Sequence, residues 1–252
     1  MHKSLTLVLV ILFAVGLAAQ RPGPEHRGFG EFGIMSAGPG GRTPVVGAPY
    51  SALETRQTQQ TLSDGNQVTH EEQSKVYRDG VGRVRIEHTM NRPGNAGAAP
   101  QTIITIFDPV GGYSYMLNPS KMTAVKTALP PSRTAQAANS PARPMHERSA
   151  KSNHAVQTEN LGTQAINNVA ATGSRRTETI AAGSIGNQQA IQTVRETWIS
   201  TDLKVPVSIK SSDPRFGNTV MQLTNIAQTE PDPALFVVPS NYTVTTRTGR
   251  GR

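Results

Sequence analysis

Beyond its first twenty residues the 252-residue chain holds five histidines, His26, His70, His88, His146 and His154. Histidine serves as a general base near neutral pH and as a zinc ligand, but this spacing gives neither site. His70-Glu71-Glu72 lacks the second histidine of the zinc-helix motif. No cysteine exists to supply a thiolate. Gly28-Phe-Gly30-Glu-Phe-Gly33 matches the dinucleotide fingerprint letter for letter. That device works only between a strand and a helix whose N-terminus meets the pyrophosphate, and here the run is embedded in glycine and proline. Ala182-Gly-Ser184-Ile-Gly186 resembles a nucleophile elbow, which needs a strand–turn–helix setting and, in α/β-hydrolases, a later histidine. His154 is the last one, so a plain loop is expected. Trp198 reads as a core residue. Asn241-Tyr-Thr243 fits a glycosylation sequon. No catalytic set, metal set or cofactor emerges, and a non-enzymatic protein is expected.

The first residues carry an address. Met1-His2-Lys3 is followed by a nearly unbroken apolar run from Leu5 to Leu17, and small residues lead to Gln20. This order is that of a cleaved secretory signal peptide, 1–19, and the run is short for a membrane span. Without cysteine, neither N-terminal lipidation nor disulfides are available to the exported chain, so packing alone must stabilise it. A periplasmic or secreted protein of bacterial type is expected.

Net charge is +8, which invites a nucleic-acid reading until the charge is located. Apart from Lys3, the whole excess lies in three segments. Residues 20–48 carry a net +1, residues 128–155 carry +3, and residues 246–252 carry +3 through Arg247, Arg250 and Arg252. The remainder is neutral. A nucleic-acid-binding fold concentrates basic residues on a structured face, so nucleic acid is not expected as a partner. Basic flanks suit solubility, or peripheral contact with anionic membrane.

Residues 20–48 are a Gly/Pro-rich stretch without periodicity, read as a flexible leader, and 128–155 has the same character. A structureless run that long is read as a disordered insertion in one domain. The β-domain then covers 49–245, followed by the basic tail 246–252. Within it, Asp64-Gly65 and Asp79-Gly80 separate extended runs and signal hairpins. Val84, Ile86, His88 and Met90 alternate with Arg83, Arg85 and Glu87, as a half-buried strand requires. Further strands are read at 101–107, 113–117, 156–165, 168–180, 188–200, 203–211, 217–229 and 235–245. Residues 121–127 fit a strand or a short helix. Pro206, on the polar side of Val205, Val207 and Ile209, suggests an edge or a bulge. One helical turn is expected near 230–235. The class is mostly β, a single curved antiparallel sheet or half-barrel of about eleven strands with little helix.

Four stretches support a family resemblance. Tyr77-Arg-Asp-Gly-Val-Gly-Arg-Val-Arg-Ile-Glu87 and Ile106-Phe-Asp-Pro-Val-Gly-Gly-Tyr-Ser-Tyr-Met-Leu-Asn-Pro119 resemble uncharacterised exported acidobacterial-type proteins. Glu196-Thr-Trp-Ile-Ser-Thr-Asp-Leu-Lys-Val-Pro-Val207, with Asp232-Pro-Ala-Leu-Phe-Val-Val-Pro-Ser-Asn-Tyr242, is similar to the end of LolA/LolB-like (lipoprotein carrier-like) envelope proteins. The resemblance covers roughly 50–127 and 156–245. It implies a half-barrel whose concave apolar side binds a lipid or a lipoprotein acyl chain, and it assigns no individual ligand-binding residue. The alternative is an envelope protein-interaction or sensor module of the same fold, contacting a protein partner through 128–155.

Overall fold

The computed structural model describes residues 44–90, 100–129 and 154–247. The expected signal peptide, most of the leader and nearly all of the insertion lie outside these residues. Twelve strands form, against the eleven or so expected: β1 Tyr50–Thr61, β2 Gln67–Arg78, β3 Val84–Met90, β4 Gln101–Asp108, β5 Tyr113–Asn118, β6 Thr123–Ala128, β7 His154–Ile166, β8 Val169–Ile180, β9 Ile191–Ser200, β10 Pro206–Asp213, β11 Gly217–Ala227 and β12 Thr243–Arg247. The helical content among the described residues is two 3-10 turns, Pro119–Lys121 and Pro233–Phe236. No helix of the described residues is long and apolar enough to cross a membrane.

All twelve strands join one open, curved sheet in the order β12-β6-β5-β4-β3-β2-β1-β11-β10-β9-β8-β7. Every pairing is antiparallel except the last, where β12 runs parallel to β6. Two long-range hydrogen bonds show how far the sheet curls. Arg78 Nη2 at the end of β2 donates to the Leu203 carbonyl before β10, at 2.5 Å. Asn167 Nδ2 in the β7–β8 turn donates to the Leu223 carbonyl of β11, also at 2.5 Å. Each bond joins elements three strands apart, which a flat sheet would separate by roughly 14 Å.

The local chemistry explains most strand ends. Leu62 and Asn66 close the first hairpin, with Gly65 at φ +83°. In the second, the left-handed residue is Gly82 (φ +88°) and not Gly80. Asp79, buried, accepts the backbone N–H groups of Val81 and Arg83 and the Arg83 Nε, and this pins the turn. Of the edge or bulge expected at Pro206, the bulge is found: Pro206 is buried at the start of a central strand, and the register shifts between Pro206 and Ser208, where its missing N–H falls. Ser208 is buried as well. One expectation needs correction. Residues 235–242 are not strand. They follow the 3-10 turn started by Asp232, whose side chain accepts from Ala234 N, and the strand begins only at Thr243, two residues short of the expected end of the domain and running on through Thr246 and Arg247.

The core divides between the two faces of the sheet. Register places Tyr50, Ala52, Val76, Val84, Ile86 and Phe107 on one face, joined in a single cluster with Val207, Leu223 and the pre-β10 residues Leu203 and Val205. This is the inner face. On the outer face, Ile104, Ile106, Leu117 and Ala124 form a second cluster. It is covered by the segment 228–242, which straps across the back of β2 to β6. Glu230 accepts the Gly80 N–H, Arg85 Nη1 donates to Leu235 O, and Phe236 is buried with the Arg83 guanidinium 5.2 Å from its ring centre. Val238 and Tyr242 pack on the outer cluster before β12 joins β6.

Candidate functional site

Antiparallel register lines up side chains of successive strands in lateral rows. Three such rows cross the inner face of β1 to β6. The middle row is Ala52, Val76, Ile86, Thr105, Met116 and Val125. Ala52 and Val76 are buried, Ile86, Thr105 and Val125 are half-buried, and Met116 is 52% exposed. The apolar floor therefore opens toward β5 while the back of the same strands is closed by the strap.

The row on one side starts with Tyr50, Arg78, Val84 and Phe107. Arg78 is fully buried. Its Nε and Nη2 donate to the Ala48 carbonyl at 2.9 and 2.7 Å, its Nη2 also reaches Leu203, and its guanidinium stands 4.8 Å from the Tyr50 ring centre. Burial lowers the Arg78 pKa and raises that of Tyr50. Among the described residues, the Tyr50 hydroxyl and Arg78 Nη1 are buried without a hydrogen-bond partner. Residues 47 and 48 of the expected leader thus dock on the sheet, with Gly47 N donating to Gly80 O.

The row on the other side is polar. It runs Leu223, Glu54, Ser74, His88, Ile103. Glu54 and His88 are buried, at 8% and 3% exposure. The Ser74 hydroxyl and His88 Nδ1 are 3.0 Å apart. Burial is the largest influence on both titrating groups. It pushes the Glu54 carboxyl up to about 8, with Arg56 pulling down and Glu72 pushing up, and it lowers the His88 imidazole against the opposing pull of Glu72. In this row burial therefore favours the uncharged forms of the Glu54 carboxyl and the His88 imidazole, on either side of the Ser74 hydroxyl.

The residues singled out in sequence do not converge on this site, His88 excepted. Gly28, Gly30, Gly33, His26 and His146 lie outside the described residues. Ser184 sits in a turn between antiparallel β8 and β9, where its N–H donates to Ala181 O, and no helix follows. His70 pairs with Glu72 and His154 with Glu178. Trp198 is buried and donates to Glu196 at 2.8 Å. Asn241 is exposed on the strap. No group of three possible metal ligands occurs among the described residues. Sequence reading missed Glu54 and Ser74, although the signal was present. A hairpin centred on Asp64 sets Glu54 opposite Ser74, and one centred on Val81 sets Ser74 opposite His88.

No family model matches the chain, and no curated protein matches it. Several solved structures are similar to it. One is the MucA/MucB complex of Pseudomonas aeruginosa, at 11% identity and TM-score 0.40, covering 79% of this chain and 58% of that one. Another is the LolA superfamily protein of Nitrosomonas europaea, at 8% identity and TM-score 0.33, covering 77% and 92%. The Mycobacterium tuberculosis lipoprotein LppX matches at 13% identity and TM-score 0.28, covering 74% and 89%. This chain spans less than two thirds of the length of the chain it matches in the MucA/MucB complex. At these identities and scores the likeness concerns fold alone, and no ligand or partner follows from it.

Proposed function

We propose that this is an exported, non-enzymatic binding protein that holds a hydrophobic ligand, a lipid or an acyl chain, on the inner face of β1 to β6. The observation that carries this reading is the apolar row from Ala52 to Val125, buried at one end and open at Met116. Apolar recognition works through buried area, at about 25 cal/mol per Å², and needs few polar signatures. The apolar run Leu5–Leu17 supports export to a periplasmic or secreted location, and the basic 246–252 tail supports loose contact with anionic membrane. Solvent extraction and mass spectrometry of protein purified from its own envelope should recover acyl lipid near one per chain. Clean protein would overturn the reading.

A second reading has one observation behind it. β7 is a thirteen-residue edge strand, mostly exposed, with no further strand beside it among the described residues. Such an edge can accept an extended segment of a protein partner. In that case crosslinking in the native envelope would recover one protein through β7 or through 128–155, and no lipid.

A further inference from the structure

We propose that Arg78 and Tyr50 form an anion subsite at the closed end of the inner face, which grips the carboxylate of a long-chain fatty acid while its alkyl chain lies along the apolar row. This rests on the proposed apolar-ligand function and adds the ligand's class and the end by which it is held.

Arg78 is the one buried lysine or arginine among the described residues, and its burial is complete. Buried charges ordinarily have a counter-charge. No carboxylate pairs with Arg78 among the described residues. Asp79, next in the chain, is engaged by Arg83 Nε at 2.6 Å. The guanidinium divides its donors between two sides. Nε and Nη2 serve the Ala48 and Leu203 carbonyls, whereas Nη1 is buried without a partner. The hydroxyl of Tyr50, the register partner of Arg78, is buried without a partner too. Among the described residues these are the two side-chain polar atoms left in that condition. They belong to one contact pair, with the guanidinium carbon 4.8 Å from the Tyr50 ring centre.

The missing partner is an acceptor that carries one negative charge. Burial lowers the Arg78 pKa and raises that of Tyr50, yet a guanidinium stays charged at ordinary pH and the phenol stays a neutral donor. A carboxylate accepting from Nη1 and from the hydroxyl supplies both absent bonds and the counter-charge, and it leaves the Nε and Nη2 bonds in place. An alcohol or an ester leaves the cation uncompensated, and an ammonium adds a second one. Position fits as well. Tyr50 and Arg78 stand one alternation step from Ala52 and Val76, the buried end of the apolar row. From Val76 that row crosses four strand spacings to Val125, about 19 Å, and Thr105 is its one polar member. A long alkyl chain lies along it with its head at Arg78 and its tail toward the exposed Met116. The groups that Arg78 bonds are loop, Ala48 before β1 and Leu203 before β10, so a shift of loop admits the head group without breaking the strand ladder.

Four probes with the same eighteen-carbon chain test this: oleate, methyl oleate, oleyl alcohol and oleylamine. Each is titrated against the uncharged fluorophore N-phenyl-1-naphthylamine bound to the full chain at pH 8. Oleate should displace it at least about tenfold more strongly than the other three, as hydrogen bonds between charged groups allow. Arg78→Met should bring oleate to within about twofold of methyl oleate. Tyr50→Phe keeps the ring and removes only an unpartnered hydroxyl, so its urea midpoint should hold or rise, while the preference for oleate falls several-fold. That variant decides the matter even if Arg78→Met does not fold. Equal displacement by all four probes, or an unchanged preference in Tyr50→Phe or in folded Arg78→Met, would overturn the subsite and leave the apolar-ligand reading standing. A Tyr50→Phe midpoint well below wild type would also overturn it, by showing that an interior water already satisfies the hydroxyl. Failure of the fluorophore and of every probe to bind would overturn both readings.

Discussion

The indole of Trp198 lies flat against the backbone of Gly173, its register partner on β8. A Cβ built on Gly173 would stand 2.6 Å from Trp198 Cζ3 and 2.7 Å from Cε3 and Cη2. Glycine is required here for space, since an aromatic ring occupies the volume that any side chain would fill. Gly173→Ala should therefore destabilise the fold by about 1–3 kcal/mol through overpacking, and Gly173→Val by more. Trp198 is the sole tryptophan, so its emission reports both the displacement of the ring and the urea midpoint. An unchanged midpoint in Gly173→Val would contradict this packing.

Arg78 closes one end of the curled sheet by bonding the Ala48 and Leu203 carbonyls from a fully buried position. Removing it leaves both carbonyls without this donor and vacates a large buried volume. Arg78→Met should cost about 2–4 kcal/mol in chemical denaturation. Arg78→Lys should recover little, because an ammonium cannot reproduce the planar fork that serves two acceptors.

Much of the fold is legible along the chain because it is built from local hairpins. The alternation of Val84, Ile86 and His88, and the Asp-Gly turns, determine strands and their nearest pairings through residues a few positions apart. The pairing of β1 with β11 and of β12 with β6 is not legible in the same way. These contacts join segments more than a hundred residues apart, and no periodicity encodes which edge a strand will find. The strap illustrates the limit. Residues 235–242 carry the apolar residues of a strand, yet Pro233, Pro239 and the Asp232 cap favour a turn and an irregular crossing. The site follows the same division: His88 was visible as an inward residue, whereas its neighbours Glu54 and Ser74 depend on carrying two hairpin registers across three strands.

Phe236 anchors that strap. Phe236→Ala should cost about 3–4 kcal/mol, the usual range for a buried phenylalanine, and its effect should be regional. Amide hydrogen exchange should speed up in β12 and β6, which depend on the strap for their parallel pairing. Protection in β8 and β9, on the other half of the sheet, should change far less.

Glu54 links stability to pH with a definite sign. Its folded-state pKa is raised to about 8 from 4.5, so between those values the folded chain retains a proton that the unfolded chain has released. The contribution is complete below about pH 4.5 and is lost as pH rises toward 8. His88, lowered by burial, acts in the opposite direction over part of that interval, since the unfolded imidazole takes up a proton there before the folded one does. The difference between wild type and Glu54→Gln isolates the carboxyl. Wild type should lose a few kcal/mol relative to the variant between pH 5 and pH 8, as read from urea midpoints, and parallel curves would place the Glu54 pKa near its ordinary value.

Met116 tests whether the open end of the apolar row touches ligand. It is 52% exposed on the inner face of β5, between Thr105 and Val125, so a charge there costs the free protein little. Met116→Lys should change stability by about 0.5 kcal/mol or less. A ligand chain lying along Ile86, Thr105 and Met116 would instead meet a desolvated ammonium. The affinity for N-phenyl-1-naphthylamine should then fall about tenfold, equivalent to roughly 1.4 kcal/mol. Val110→Lys, in the β4–β5 turn and 70% exposed, provides the control and should bind as wild type does. Equal affinities in all three proteins would move the ligand off this row, because a hydrophobic chain cannot cover Met116 and remain indifferent to a charge placed beneath it.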